Sequence, residues 1–216
     1  MKLRDYPMET VNVEAHYEPF PHLIIRNFYN QEELSLIWEE LTFYTKPGKL
    51  LGPKDYYGVV DATNAKALML DEIYCDNSKE NLPNYRNLSN ILTVNRKVFD
   101  SDILSALETL HPCCKKASKS KWDYTKVRYY HNDEYYEPHT DISMDFLAFS
   151  YFHKKPKKYS GGELYFPEYD YEFDCDDNSI IIFPGWVEHG VKTISIEDSN
   201  YFDGYGRYAI TSFFGH

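Results

Sequence analysis

Short runs of β-branched and aromatic residues fill the second half of the chain, and their spacing constrains the fold more than any other feature. The pairs Gly161-Gly162 and Pro184-Gly185 mark turns between them. The chain is 17% aromatic, with 21 Tyr, a composition that suits half-buried pleated surfaces. Six such runs within less than half of 216 residues predict an antiparallel sandwich or jelly roll. The runs lie at 122–130, 144–153, 163–169, 179–183, 190–195 and 207–214.

Helical signals dominate before residue 121. Asn30 and Glu33 form the Asn-x-x-Glu pattern of a capping box, and apolar residues at helical spacing follow to about Thr42. We predict a single α+β, mainly β domain over 1–216, with a helical part over about 1–120 and a jelly-roll part over about 121–216. The other predicted elements are a strand over 22–26, helices over 85–99 and 101–110, and loops over 45–67 and 115–121.

The charge balance of the chain is acidic. It has 23 Lys and Arg against 34 Asp and Glu, a formal net charge of −11, which disfavours a broad basic face for nucleic acid. No apolar run approaches the roughly 20 residues that span a bilayer, and the first residues lack the apolar stretch of a signal peptide. The four cysteines have no zinc-site spacing. We therefore predict reduced thiols, no membrane contact and a soluble, cytoplasmic protein.

Two His-x-Asp triplets occur, and their contexts differ. His131 opens the polar run His-Asn-Asp-Glu, which is typical of a turn between strands. His139 follows Glu137-Pro138, where proline favours an extended backbone. In an extended segment His139 and Asp141 project to the same face. The second triplet is therefore the better candidate for two ligands of one metal ion.

His189 is the candidate for a third ligand. It follows a buried-strand run and the turn at Pro184-Gly185, on or entering another strand. Two histidines and one carboxylate with open positions are typical of non-haem Fe(II) oxygenases. The alternative at this point is that His139 and Asp141 form an ordinary hydrogen-bonded pair in a sheet.

Arg207 begins the last apolar strand run. An arginine buried in such a strand needs an anionic partner, and its planar fork binds a carboxylate bidentately. Thr211 lies an even number of residues further on and therefore on the same face. A bound dicarboxylate is one partner that fits, and an acidic residue of the chain is the alternative.

Four segments in order resemble the 2-oxoglutarate and Fe(II)-dependent oxygenases, specifically the prolyl 4-hydroxylase-like branch. They lie in order between residue 122 and residue 214, and together they are far more specific than any one of them. The segments are Tyr-Glu-Pro-His-Thr-Asp at 136–141, Ser-Gly-Gly-Glu-Leu-Tyr-Phe-Pro at 160–167, Phe-Pro-Gly-Trp-Val-Glu-His-Gly-Val at 183–191 and Arg-Tyr-Ala-Ile-Thr at 207–211.

The resemblance implies a double-stranded β-helix, or jelly-roll and cupin-like, core with N-terminal helices packed on one sheet. It implies that His139, Asp141 and His189 are the iron ligands. It also implies that Arg207 binds the distal carboxylate of the co-substrate 2-oxoglutarate.

The resemblance further implies that tyrosines contact the co-substrate. Tyr151 matches a tyrosine that hydrogen-bonds the distal carboxylate. A second tyrosine is expected before His139, where Tyr130 fits the collagen-type spacing and Tyr129 the hypoxia-type spacing. Adjacent strand residues face opposite sides, so we expect only one of the two to point inward. The chain departs from the family pattern at 131–134, where a glycine-rich turn is usual, and in a longer segment between His189 and Arg207.

The activity that the resemblance implies is hydroxylation of a C–H bond coupled to oxidative decarboxylation of 2-oxoglutarate, with Fe(II), O₂ and ascorbate as reductant. A prolyl residue of a peptide or protein is the substrate it implies, and a free amino acid or other small molecule is the alternative. Nucleic acid is disfavoured by the net charge of −11. Two other classes stay open: a non-catalytic metal-binding jelly-roll module, and a zinc hydrolase that uses the same three ligands.

Overall fold

The computed structural model describes residues 11–55, 62–75, 85–197 and 200–216. In these ranges antiparallel strands dominate, and four α-helices and several short 3-10 turns connect them. The helices are α1 (Gln31–Tyr44), α2 (Leu70–Tyr74), α3 (Asn90–Val94) and α4 (Ser101–Leu110). The strands are β1 (Asn12–His16), β2 (His22–Arg26), β3 (Lys66–Met69), β4 (Trp122–Tyr130), β5 (Tyr136–His139), β6 (Phe146–Phe152), β7 (Tyr159–Gly161), β8 (Leu164–Phe166), β9 (Tyr171–Phe173), β10 (Ser179–Pro184), β11 (His189–Val191), β12 (Ile194–Ile196) and β13 (Arg207–Gly215).

The strands form a large and a small sheet. The large sheet has the order β1-β2-β10-β6-β13-β4-β3, and the small sheet has the order β5-β11-β8-β9. A further pair joins β12 to β7. Neighbouring strands in the large sheet are antiparallel, and the sheets do not close into a barrel. The mainly β architecture predicted from the sequence is therefore confirmed.

The two faces of the large sheet bury separate apolar cores. Along β13, Tyr208 and Ile210 point into a core shared with α1, α3 and α4, while Ala209 and Phe213 point into a core shared with the small sheet. This alternation follows from the two-residue repeat of a strand. The helices therefore cover one face of the sheet, as predicted, and the opposite face is available for a site.

The first helix begins as the sequence predicts. The Asn30 side chain accepts from the backbone amides of Glu32 and Glu33, and the Glu33 carboxylate accepts from the Asn30 amide. The helix ends at Tyr44 rather than at Thr42. The helix predicted over 101–110 is confirmed as α4, but the sequence predicts Ser101 as its cap and this is wrong. Ser101 is the first helical residue, and the N-cap is Asp100, whose side chain makes no capping hydrogen bond.

The single helix predicted over 85–99 is wrong. Ser89 caps a short helix by accepting from the Leu92 amide, so α3 starts only at Asn90. Asn95 then turns inward, where it accepts from the Tyr29 hydroxyl and donates to Ser212. These buried polar contacts break the segment into 3-10 turns on both sides of α3.

Other predictions before residue 121 also need correction. The first 120 residues supply three strands of the large sheet as well as the helices, because β2 pairs with β10 and β3 pairs with β4. The loop predicted over 45–67 includes a 3-10 turn at Pro53–Asp55 and the first residues of β3, and its residues 56–61 lie outside the described part. Most of the loop predicted over 115–121 belongs to a 3-10 segment, Pro112–Lys119.

The predicted strands of the second half are largely confirmed. The prediction over 122–130 matches β4, and those over 179–183 and 207–214 match β10 and β13 within one residue. The run 190–195 divides into β11 and β12, and Pro167 ends β8 early. No disulfide joins the four cysteines, all of which lie in the described ranges, and none of the described helices has the length and apolar character to cross a membrane.

Candidate metal centre

Three predicted ligands meet at the end of the small sheet. His139 is the last residue of β5 and pairs with His189, the first residue of β11, so that their ring centroids lie 4.5 Å apart. The Asp141 Oδ2 atom lies 3.7 Å from His189 Nε2 and 4.0 Å from His139 Nε2. The ligand atoms of all three residues lie within 4.8 Å of one another. One metal ion could therefore contact all three.

Asp141 lies in a turn beyond the strand, not in the extended segment that the sequence predicts. Its amide donates to the Gly185 carbonyl at 2.8 Å, and its carbonyl accepts from the Met144 amide. A Cβ atom at Gly185 would lie 2.5 Å from the carbonyl oxygens of Asp141 and Met144. The absence of a side chain at Gly185 therefore lets the loop before His189 hold the carboxylate against the two histidines.

Backbone hydrogen bonds fix the tautomer of both histidines. The Nδ1 atoms of His139 and His189 lie 2.9 Å from the carbonyl oxygens of Glu137 and Val187. A carbonyl only accepts, so each Nδ1 carries the hydrogen and each Nε2 presents its lone pair to the centre. The Nε2 atom of His189 is buried and has no hydrogen-bond partner among the described residues.

The electrostatics of the centre also favour metal ligation. Burial, with His139 as the second cause, lowers the pKa of His189 to about 3, so its ring is neutral and able to coordinate. Burial likewise lowers the pKa of His139 and raises that of the Asp141 carboxyl. A bound divalent cation would favour the ionised carboxylate. The donor set thus fits a metal ion such as Fe(II).

The triad lies in a pocket with about 550 Å³ of empty space, part of it open to solvent. The pocket lies between the small sheet and the face of the large sheet that the helices do not cover. Its lining residues are Lys126, Arg128, Tyr130, Tyr136, His139, Asp141, Phe149, Tyr151, His189, Val191, Arg207, Ala209, Thr211 and Phe213.

Arg207 lies in the same pocket with only 1% of its surface exposed. One guanidinium nitrogen, Nη1, donates to the Gly162 carbonyl and to the Cys175 sulfur. The guanidinium carbon lies 4.4 Å from the centroid of the Tyr130 ring and 5.1 Å from that of Tyr151. The groups whose charges act most strongly on it are a thiol and phenols, not carboxylates. Among the described residues, the groups that act most strongly on Arg207 therefore do not include the acidic residue that the sequence left as its alternative partner.

Several hydrogen-bonding groups around Arg207 lack partners. Its Nε and Nη2 groups are buried without an acceptor within the described ranges. The Tyr151 hydroxyl is also buried without a nitrogen or oxygen partner there, and the weakly polar thiol of Cys175 lies beside it. A buried donor without an acceptor costs about 1–3 kcal/mol, more when it is charged. A carboxylate is the group that these donors fit.

Tyr130, not Tyr129, faces this pocket. In the ladder between β4 and β13, Tyr130 stands opposite Arg207. Tyr129 points to the other face of the sheet, where its hydroxyl accepts from the Gly206 amide at 2.9 Å and its ring contacts Tyr208. Tyr129 therefore does not contact the pocket in which the co-substrate is expected, and the prediction that includes it is wrong for this residue.

Thr211 lines the pocket on the same face as Arg207, as the even spacing predicts. It lies four residues along β13, roughly 13 Å from the level of Arg207. The other triplet is remote from the centre, since His131 packs against Tyr129 and Tyr201 and Asp133 lies in a turn.

Sequence reasoning missed Lys126, Arg128 and Cys175. The two basic residues precede Tyr130 by even steps on β4, so strand alternation could have placed them once Tyr130 was known to face inward. Nothing in the sequence marks Cys175, which lies in the loop after β9 with a φ of 55°.

No family model matches the sequence, and no curated protein sequence is significantly similar to it. Solved structures, however, are similar in fold. A prolyl hydroxylase from Trichoplax adhaerens, in complex with a hypoxia inducible factor oxygen degradation domain peptide fragment, has a TM-score of 0.60 at 16% identity, over 89% of this chain and 82% of that chain.

Two bacterial structures are similar to the same extent. A prolyl-4-hydroxylase from Pseudomonas putida has a TM-score of 0.55 at 14% identity and covers 89% of this chain and 91% of its own. An oxidoreductase of the 2OG-Fe(II) oxygenase family from Burkholderia pseudomallei has a TM-score of 0.55 at 13% identity, over 90% of this chain and 84% of that one. At such identities the similarity shows the fold alone. The chain has the double-stranded β-helix fold of these oxygenases, as predicted from the sequence.

Proposed function

We propose that this protein is an Fe(II)- and 2-oxoglutarate-dependent dioxygenase that hydroxylates a C–H bond. One observation carries the proposal: a buried arginine with unpaired donors shares a single pocket with two neutral histidines and an aspartate. The triad alone fits several metal-dependent activities, and the arginine alone fits any carboxylate. Their combination fits a co-substrate that binds the metal at one end and the guanidinium at the other.

In this proposal His139, Asp141 and His189 hold Fe(II), which supplies the capacity to activate O₂. The backbone carbonyls behind both histidines keep the Nε2 lone pairs directed at the ion. Arg207 holds the distal carboxylate of 2-oxoglutarate through Nε and Nη2. Its Nη1 atom is already committed to Gly162 and Cys175, which fixes the orientation of the guanidinium.

Tyrosines and apolar side chains complete the pocket. The Tyr151 hydroxyl is proposed to donate to the same carboxylate as Arg207. Tyr130 covers one face of the guanidinium and keeps water away from it. Phe149 and Val191 form apolar walls near the triad. Such walls exclude water and limit side reactions at the centre. The role of Thr211 is limited to lining the pocket at a distance from Arg207.

The two other classes fit the pocket less well. A zinc hydrolase needs a general base beside the metal-bound water. Asp141 is the one carboxylate among the lining residues of the described pocket, and the triad already uses it. A non-catalytic metal module would leave the donors of Arg207 and Tyr151 without a function, although burying them is costly.

A prolyl residue of a peptide is the finer part of the proposal. It is supported by the shared fold with the prolyl hydroxylases, one of which is in complex with a peptide fragment. Ascorbate as reductant, a cytoplasmic location, one domain over 1–216 and the exclusion of nucleic acid stay predictions from the sequence.

Anaerobic titration tests the proposal. The full chain is loaded with Fe(II) under nitrogen, 2-oxoglutarate is added, and the visible absorption band of the iron chelate is recorded. Admission of air should then release succinate. Zn(II) should occupy the same ligands without supporting succinate release, because zinc has no accessible redox chemistry. Equal turnover with zinc, or 2-oxoglutarate binding that does not depend on metal, would contradict the proposal.

A further inference from the structure

The pocket contains more positive charge than a co-substrate clamp requires. Lys126 and Arg128 line it together with Arg207, and Asp141 is the one acid among its described lining residues. Lys126 is 9% exposed and Arg128 is 4% exposed, so both cations are largely removed from water. The charges of Asp141 and of acidic residues outside the lining act on both cations, but Asp141 is itself a proposed metal ligand.

The ladder between β4 and β13 separates these two cations from the clamp. Arg207 stands opposite Tyr130, Ala209 opposite Arg128, and Thr211 opposite Lys126. Arg128 and Lys126 therefore lie about 7 Å and 13 Å along the strand from the level of the clamp. A ligand group held by these two is distinct from the carboxylate held by Arg207.

The charges of the proposed complex leave a place for another anion. The charges of a divalent metal ion and of dianionic 2-oxoglutarate sum to zero. The net charge of the occupied pocket is therefore that of its side chains. The described lining residues comprise three cations and one carboxylate, so their summed charge is positive, whereas the whole chain has a net charge of −11. A carboxylate on the substrate would offset part of this positive charge.

We propose that Lys126 and Arg128 bind a carboxylate of the substrate, which places a nearby C–H bond at the metal centre. The inference rests on the proposed function and narrows its substrate class to molecules with a carboxylate close to the hydroxylated carbon. A free amino acid, the C-terminal residue of a peptide, or an acidic side chain in a peptide can each supply that group.

A single carboxylate fits the side chains of Lys126 and Arg128 better than a polyanion does. Lys126 and Arg128 are buried within the pocket, whereas nucleic acid is bound mainly through basic residues exposed to its phosphates. Arginine presents a planar fork that matches a carboxylate, and lysine adds a point charge beside it.

Arg128 also has a structural contact that any test must separate from binding. Its guanidinium carbon lies 4.6 Å from the Tyr136 ring centroid, and that ring stacks on His139 at 4.1 Å. Loss of Arg128 could thus disturb a metal ligand. Lys126 lies instead over the Phe213 ring at 4.8 Å, and its charge acts on His139 and Asp141. Mn(II) retention is therefore measured for both glutamine variants.

The test is equilibrium dialysis of the full chain loaded with Mn(II) and 2-oxoglutarate under nitrogen. The dialysis mixture contains the common L-amino acids together with their carboxamides. It also contains peptides that end in a carboxylate or a carboxamide, with and without an internal glutamate. Retained compounds are identified by mass spectrometry. Wild type is compared with Lys126→Gln, Arg128→Gln and Arg128→Lys, and with Lys115→Gln as an exposed control.

We expect wild type to retain one class of carboxylate at least about tenfold over its carboxamide, the scale for a buried charge pair. Lys126→Gln should lose this preference while it retains Mn(II) and 2-oxoglutarate, and Arg128→Gln should lose the preference together with part of its Mn(II) retention. Arg128→Lys should recover part of it, and Lys115→Gln should behave as wild type. The class that is retained identifies the source of the carboxylate.

Equal retention of acids and carboxamides, unchanged preference in both glutamine variants, or retention of no carboxylate would overturn the inference while 2-oxoglutarate still binds. Failure of wild type to retain 2-oxoglutarate would overturn the proposed function itself, and this inference with it.

Discussion

Buried polar side chains on the two faces of the large sheet differ in their hydrogen bonding. On the helical face, the Tyr208 hydroxyl bonds Thr45 at 2.9 Å and the Tyr129 hydroxyl accepts from the Gly206 amide. On the pocket face, Arg207, which precedes Tyr208 in β13, and Tyr151 in β6 keep donors without acceptors among the described residues. All of these side chains are almost fully buried.

Burial therefore does not distinguish Tyr129 and Tyr208 from Arg207 and Tyr151, but hydrogen bonding does. Paired groups on the helical face stabilise the fold, since each intramolecular hydrogen bond contributes about 0.5–1.5 kcal/mol. Unpaired groups on the pocket face destabilise it until a ligand arrives. The chain thus places the stabilising polar contacts and the binding contacts on opposite sides of the same strands.

The largest effect is expected from variants that remove the metal ligands on the pocket face. His139→Ala, Asp141→Ala and His189→Ala should each abolish Fe(II) binding and turnover. The loss should exceed the roughly 10–100-fold that follows removal of a group that only orients a ligand. Metal content after dialysis measures it.

The matched controls are His131→Ala and Asp133→Ala, which change the other His-x-Asp triplet. They should leave the iron content largely intact, because those residues lie outside the cluster. Iron lost from the His131 variant and kept in the His139 variant would reverse the assignment of the two triplets.

Removal of Arg207 should have the next largest effect. Arg207→Ala should weaken 2-oxoglutarate binding by about 2–5 kcal/mol, the range for truncating one partner of a buried charge pair. Metal affinity should change little, and Arg207→Lys should recover part of the loss because it keeps the charge without the fork. Calorimetry with Mn(II) measures the affinity, with exposed Arg96→Ala as the control. Undiminished affinity in Arg207→Ala would place the clamp elsewhere.

The sequence predicts much of the pocket face but not all of it. Strand periodicity places Arg207 and Thr211 on one face, and the Glu-Pro context distinguishes His139 from His131. Periodicity does not decide between Tyr129 and Tyr130, since it defines two faces without saying which one is inner. The pairing of Tyr130 with Arg207 decides it, and that pairing is a long-range contact.

The helical face was harder to predict for a related reason. The single helix expected over 85–99 breaks where Ser89 and Asn95 bond to groups far away in the chain. Local helical spacing contains no information about such partners. Cys175 was missed for the same reason, because only the fold brings it beside Arg207.

His22 tests whether every unpaired group on the pocket side implies a ligand. Its Nε2 is buried without a partner in the described part of the chain, yet its ring packs among the rings of Phe20, His16 and Tyr171 rather than in the pocket of the triad. Burial lowers its pKa below the usual 6.5. The unfolded state therefore takes up the proton at a higher pH than the folded state does.

The consequence is a loss of stability in acid. The free energy of unfolding should be unaffected by His22 above pH 6.5 and should fall as the pH drops below it, by at most about 1.4 kcal/mol per pH unit for one proton. Urea unfolding of the metal-free protein at several pH values, compared with His22→Gln, isolates the effect. Parallel pH profiles for the two proteins would mean that His22 accepts a proton in place.

The smallest effects are expected from removing one tyrosine hydroxyl on each face of the large sheet. Tyr129→Phe removes a paired hydroxyl, so it should lower the free energy of unfolding by about 1 kcal/mol and leave 2-oxoglutarate affinity unchanged. Tyr151→Phe removes an unpaired hydroxyl, so it should leave the metal-free protein as stable or slightly more stable, and should weaken 2-oxoglutarate binding by about 1 kcal/mol. Urea unfolding and Mn(II) calorimetry measure the two quantities on the same samples. If both variants lost stability equally and neither lost affinity, the two faces would not differ in the way their hydrogen bonds indicate.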